Sequence, residues 1–435
     1  MFRSALFFCS LISLAVVGLA MATSRQDSTP TLTTAAGLTQ TMEATPSYRT
    51  EVIRLDDIIE NLNARSHHDP RSWLALQNLA ASYRQRAQLT GEHLDYIRAD
   101  AALTRAFAIA PNGAGPFLIR AQLNSSLHRY ALIAGDLQSA ASDALLDERS
   151  AATIASLRAD SAFVSGHYAL AEPLYRRALT LRRDYLRLFA LADFLFATGE
   201  REQAEPLMDE AERAVPQVDH MGRAWVRLQR GLMEESRGHW DTALEHYRAA
   251  DTAMPGWWMV AMRIAAIQAQ RGERAEAIAA YRTLITQTDR PDCYDGLAAL
   301  LLKDGCIDEA GALIRRARQR YDLMLQDDPQ SAYGHALAHF LTLQKEPALT
   351  VTIAERNRDL RPGGEALTKL AQAYLQAGRL ADARTTIRSV VASPWSMAES
   401  HALAARIYSA GGEAEMAQVE RARAIAINPH QLDAQ

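Results

Sequence analysis

The chain reads as an all-α protein, a solenoid of about ten helix–turn–helix units in a row. Three observations give this class. Seven glycines each precede an alanine by five residues: Gly166/Ala171, Gly199/Ala204, Gly238/Ala243, Gly272/Ala277, Gly305/Ala310, Gly378/Ala383 and Gly412/Ala417. Successive glycines are 33, 39, 34, 33, 73 and 34 residues apart, the 73 being a doubled interval. Around each pair the same apolar stripe returns at spacings of four and three, as in Ala171, Tyr175 and Ala178 or Ala243, Tyr247 and Ala250. Such spacings put side chains on one face of a helix.

Taken in chain order, Met1 to Ala22 has a basic start at Arg3, an apolar run from Ala5 to Leu19 and the small-residue pattern Ala20-Met21-Ala22. These are the parts of a cleaved secretory signal peptide. The rival reading is an uncleaved inner-membrane anchor over residues 4–22, since the run approaches a spanning length. Cleavage would leave the protein periplasmic or secreted. Residues 23–48 are rich in Thr, Ser and Ala and poor in large apolar residues, so they read as a disordered linker. A helix follows within 49–70, with Val52, Ile53, Leu55, Ile58, Ile59 and Leu62 on one face and Asp69-Pro70 at its end. It is expected to cap the first unit. Residues 71–150 hold degenerate units: Leu79-Ala80 with Tyr83, then Tyr96, Ala99, Leu103, Ala106 and Pro111. Residues 151–430 carry the regular ones.

Within each regular unit the glycine falls where a first helix must stop, because it tolerates the left-handed conformation of a helix C-terminus. The alanine permits two helices to approach closely. Pro216, Pro255, Pro362, Pro394 and Pro429 close second helices, having no amide hydrogen to continue them. The unit ending at Pro362 has Lys345 in place of its glycine, which explains the doubled interval. In the last unit Arg421 stands where others have Tyr or Ile, flanked by Glu415, Glu420 and Arg423. This reads as a polar terminal cap, with residues 431–435 frayed.

With Leu191-Ala192 and Leu195, Leu337-Ala338 and Leu341, and Leu370-Ala371 and Tyr374 in first helices, the chain resembles the tetratricopeptide repeat (TPR) family over residues 71–430. Other helical repeats of similar length stay open for the part before residue 150. The resemblance implies a right-handed superhelix whose first helices line a concave groove for a protein or peptide. It also implies a scaffold or adaptor role, here in assembling or regulating an envelope complex, and no enzymatic activity. The family's ligand-facing positions (two, five, nine and twelve of the first helix) fall on Asp160 and Phe163; Phe189, Asp193 and Phe196; Trp225; Met259 and Met262. Aromatic and Met surfaces accept amphipathic helices or extended peptides. The competing reading is that these side chains pack first helices together. Asp160 and Asp193 share position nine and would attract a basic segment, or simply form a solvated face. Position five carries no Lys or Arg in these units, so the family's clamp for a C-terminal carboxylate has no counterpart.

His335 and His339, four apart on one helix, form the metal-like spacing that supports an alternative, a metal-handling or metallocentre-assembly accessory. Glu365 would be a third ligand, yet no other His or Cys is near in sequence. No P-loop, nucleophile elbow or dinucleotide fingerprint is present, and Gly113-Ala114-Gly115 lacks the strand–turn–helix context. No cofactor is expected. Net charge is -4 without a basic stripe, which gives nucleic-acid binding no electrostatic footing. Beyond Cys9, the chain has Cys293 at the start of a first helix and Cys306 after its end. About 14 Å of helix separates them, whereas a disulfide needs Cα atoms within about 7 Å. Both are expected as free thiols.

Overall fold

The computed structural model describes residues 46–142 and 146–432. The expected leader and nearly all of the linker lie outside the described residues, as does the end of the tail. A single helix, α1 (Tyr48–His68), comes first. Ten helical hairpins follow among the described residues. They are α2/α3 (Trp73–Thr90, His93–Ile109), α4/α5 (Phe117–Ser126, Ile133–Ala141), α6/α7 (Glu148–Val164, Tyr168–Leu181) and α8/α9 (Tyr185–Ala197, Arg201–Ala214). Next come α10/α11 (His220–Ser236, Trp240–Ala253), α12/α13 (Trp258–Gln270, Arg274–Gln287) and α14/α15 (Pro291–Lys303, Ile307–Asp327). The last are α16/α17 (Pro329–Thr342, Pro347–Leu360), α18/α19 (Gly364–Gln376, Leu380–Val391) and α20/α21 (Ala398–Ala410, Ala414–Ile427). None of these helices is long and apolar enough to cross a membrane.

Each regular turn is built the same way. The seven repeat glycines have φ between 74° and 90°, a region costly for any residue with a Cβ. The residue after each glycine donates its amide to a carbonyl five positions back: His167 to Ala162 at 2.8 Å, Glu200 to Leu195 at 2.8 Å and Arg379 to Tyr374 at 2.9 Å. This is the six-to-one bond of a Schellman motif, which satisfies a helix-end carbonyl. Where the glycine is missing, the helix end is retained without a left-handed residue. Leu343 there stays right-handed at φ -105°, and Gln344 reaches His339 O at 3.1 Å.

The repeat alanines lie at the helix crossings, and Ala171, Ala243, Ala277, Ala310 and Ala383 are fully buried. Second-helix tyrosines fill the space between the layers: Tyr175, Tyr247, Tyr281 and Tyr321 are all buried. A Cβ on Gly231 would stand 2.3 Å from the Tyr247 ring, so that glycine makes room for the tyrosine. In α1, Leu55, Ile59 and Leu62 are buried as the pattern requires. Ile53 is instead 50% exposed, a correction explained by its place two residues before Leu55, which turns it roughly 200° away from the buried stripe.

Beyond the local hairpins, the coil closes on itself. Arg290 donates to the Gly91 carbonyl across 199 residues. The Gly364 amide bonds Tyr168 Oη at 2.9 Å across 196, Arg201 reaches the Ser396 carbonyl across 195, and Asn428 Nδ2 bonds Ser236 O at 3.1 Å across 192. Two backbone bonds cross as well, Gly363 N to Val164 O at 2.8 Å and Ser396 N to Ala197 O at 2.9 Å. The offset is nearly constant because one superhelical turn consumes a fixed number of repeats. The first-helix ends of one turn therefore rest on the first-helix starts of the next. The start of α1 joins this seam too, Tyr48 N donating to Pro255 O at 3.0 Å.

Candidate functional site: the inner wall

The first helices, which the resemblance places on the inner wall, pack side by side from repeat to repeat. Asp160, Phe163, Phe189, Asp193, Phe196, Trp225 and Met262 are all buried, while Met259 is partly buried. They form a packed seam rather than the open apolar lining that their positions led us to expect. The physical reason is packing between first helices of adjacent repeats, with the closure described above adding to it at Phe163. Phe163 meets Trp395 of the next superhelical turn at 6.1 Å between ring centroids, and Phe194 at 5.4 Å. Phe189 sits edge-on to Trp225 at 4.6 Å. Such pairs stabilise beyond their buried area, and they occupy the faces a ligand would need.

The inner carboxylates are held from behind. Tyr175 Oη donates to Asp160 at 2.7 Å and Tyr247 Oη to Glu235 at 2.6 Å. Tyr321 Oη lies 3.2 Å from both Asp292 and Asp295. Burial raises the pKa of Asp160, Glu235 and Asp295, and the hydrogen bonds partly oppose it. Asp193 is pushed up to about 7 by burial, with the charge of Glu365 adding to the rise. Asp160 and Asp193 are therefore buried carboxylates and not a solvated face.

The two candidate metal ligands are not brought together as a site. His339 is fully buried. Its Nδ1 lies 2.9 Å from Asp295 Oδ1 and its Nε2 3.2 Å from Gln344 Oε1. Both ring nitrogens are thus committed to hydrogen bonds inside the fold, which corrects the expectation of a His335–His339 pair. Glu365 bonds Lys369 Nζ at 2.7 Å instead. No group of three or more His, Cys, Asp or Glu able to hold a metal ion occurs among the described residues.

Cys293 is buried and Cys306 exposed, and both are free. Burial pushes the Cys293 thiol up to about 12, so it is inert at neutral pH. At the far end the polar cap is only partial. Glu420 is buried and held by His401 at 2.5 Å and by Arg423 at 2.8 Å. Met416, Val419 and Ile425 of α21 are exposed, so the terminal face mixes polar and apolar groups.

Sequence reasoning missed Glu399. Counting thirteen residues back from Gly412 finds it, at the same position two as Asp292 and Glu365. It also missed the inter-turn residues. Trp257 and Trp258 both donate to the Leu89 carbonyl, at 3.2 and 3.3 Å, and His430 stacks on Trp240 at 4.2 Å. No periodic signal marks these contacts, because they depend on the superhelical pitch and not on the repeat.

No protein-family model matches the chain, and no curated protein matches it. Among solved structures, it is similar to the APC/C hetero-tetramer Cut9–Hcn1 at 17% identity and a TM-score of 0.43, covering 88% of this chain and 72% of that one. A tetratricopeptide repeat protein from Parabacteroides merdae is 18% identical, with a TM-score of 0.34 and coverage of 56% and 93%. Yeast Tom70 is 15% identical, with a TM-score of 0.34 and coverage of 86% and 94%. In its own unit length, hairpin order and glycine-capped turns, the chain has the all-α, tetratricopeptide-like form of a helical-repeat solenoid.

Proposed function

We propose that this chain is an exported scaffold that holds a basic, extended segment of a protein partner along its inner wall, in the assembly or regulation of an envelope complex. What supports the reading is the repetition of carboxylates at equivalent places. Asp292, Glu365 and Glu399 share one position, thirteen residues before the turn glycine. Repeats that present the same group at a fixed interval match the regular spacing of an extended peptide. The reachable part of the wall is the stretch of α14 and α18. There the side chains of Asp295 and Glu365 keep 15% and 25% of their surface, and an ionised carboxylate accepts more bonds than these receive. Selectivity would come from charge and spacing, with many modest contacts in place of one deep pocket.

A photo-crosslinking residue placed at Gln372, in cells of the source organism, would sample that stretch. The reading expects crosslinked segments rich in Lys and Arg, lost in an Asp292→Asn/Glu365→Gln variant. Equal capture by the variant contradicts it. Export has its own check: N-terminal sequencing of the native protein should begin at Thr23, and an N-terminus still carrying Arg3 would refute cleavage.

A further inference from the structure

Four carboxylates from four helices gather where the two superhelical turns meet. Asp160 of α6 and Asp193 of α8 belong to the first turn, Glu365 of α18 and Glu399 of α20 to the second. The backbones around them are fastened together. Gly363 and Ser396, at the starts of α18 and α20, donate their amides to Val164 and Ala197, at the ends of α6 and α8. Glycine allows this approach, for a Cβ on Gly363 would stand 2.8 Å from the Val164 carbonyl oxygen. The junction thus joins the first turn to the second through backbone contact, with acidic groups on both sides.

Cations stand at the junction beside the carboxylates: Lys369 next to Glu365 and Glu399, Arg187 next to Asp160, and Arg201 on the Ser396 carbonyl. Asp193 faces Asp160 from α6, Tyr175 from α7 and Glu365 from α18, and Arg187 is on its own helix. Arg187 itself is engaged with Asp184 at 3.1 Å and with Thr153 at 2.5 Å. Glu399 faces Glu365 and Lys369 of α18, while His401 of its own helix is tied to Glu420 of α21. Lys369 serves Glu365 at 2.7 Å. Asp193 is buried and Glu399 partly buried; carboxylates in such surroundings favour the protonated form, and so favour whichever arrangement keeps them covered only while they hold a proton. We propose that this seam is a proton-operated clasp: it closes when Asp193 and Glu399 are protonated, and their ionisation beside Glu365 loosens it and uncovers the inner wall.

The direction follows from proton linkage. Both groups are raised to about 7 in the closed form, above an ordinary carboxyl, so the closed form binds more protons across the interval between the two values. Closure is therefore strongest at about pH 4 and below, weakens as pH rises toward about 7, and is constant above that. Each group contributes up to about a tenfold change in the opening constant per pH unit inside the window. The clasp concerns access to the wall and stands or falls independently of what binds there.

Amide-resolved hydrogen exchange on the full chain, corrected for intrinsic pH dependence, reads this directly at Gly363 and Ser396. Their protection should fall at least tenfold between pH 4.5 and 7.5, while Glu273, bonded to Gln268 within a hairpin turn away from the seam, stays unchanged. Asp193→Asn/Glu399→Gln removes the charges with little change of shape and should hold both amides protected throughout. Gly363→Val supplies the open reference, with low protection at every pH. Protection at Gly363 and Ser396 that does not change with pH in the native chain overturns the proposal, as does an equal fall in the Asn/Gln variant.

Discussion

Asp160 and Tyr175 illustrate how the single residue works in this fold. The same side chain that the repeat frame assigns to a ligand-facing position is bonded to the second helix of its own hairpin. Position in a repeat gives direction, not exposure. Replacing Phe189 or Trp225 by Ala should therefore act on stability before binding, at about 3–5 kcal/mol each, measured by urea unfolding. Near-unchanged stability would mean that the two rings face open space. The cysteines give a second residue-scale expectation. Alkylation mapped by mass spectrometry should modify Cys306 in the native protein and reach Cys293 only after denaturation. Rapid modification of Cys293 would contradict its burial.

At the level of the helical hairpin, the sequence is easiest to read. The glycine, alanine, tyrosine and proline offsets named the turns, the crossings and the ends, because each depends on neighbours within one repeat. The polar cap was less legible, since Arg421 marks one site and says nothing of Met416 and Val419 beside it. Two kinds of substitution separate local from long-range effects. Ala243→Leu or Ala277→Leu should overpack a crossing and cost about 1–3 kcal/mol, read by urea unfolding. Gly199→Ala and Gly305→Ala share the same left-handed strain, of about 1–2 kcal/mol. An added Cβ at Gly199 would also stand 3.3 Å from Ser396 Cβ, whereas nothing lies within 4 Å of Gly305. Gly199→Ala should therefore cost more, and only it should raise exchange at Ser396. Equal costs, with Ser396 unaffected, would place no contact there. Exposed ion pairs between hairpins, such as Arg183–Glu210 at 2.5 Å and Arg282–Glu309 at 3.0 Å, add little by comparison.

The whole molecule differs from an open solenoid in one respect. In a linear array each repeat touches only its neighbours, and stability is a nearest-neighbour sum. Here bonds spanning 192 to 199 residues add a second set of neighbours one superhelical turn away. That closure covers part of the wall, at Phe163, and neighbouring first helices cover Phe189 and Trp225. The apolar stripe of a first helix reads the same whether a ligand, a neighbour or the next turn covers it. Trp395 and Ser396 lie in the short connection before α20, where no repeat pattern constrains them. The clasp inference belongs at this scale as well, because the four carboxylates meet only when two distant pairs of hairpins do.

The most direct measurement is hydrogen exchange on a chain truncated after Val391, which removes α20, α21 and the connection that bears Trp395 and Ser396. The account expects loss of protection at the ends of α8 and α10, near Ala197 and Ser236, which lose their bonds from Ser396 and Asn428, with the end of α14 near Leu302 unchanged. Protection lost only in α18 and α19, the hairpin adjacent to the cut, would show that the turns do not touch.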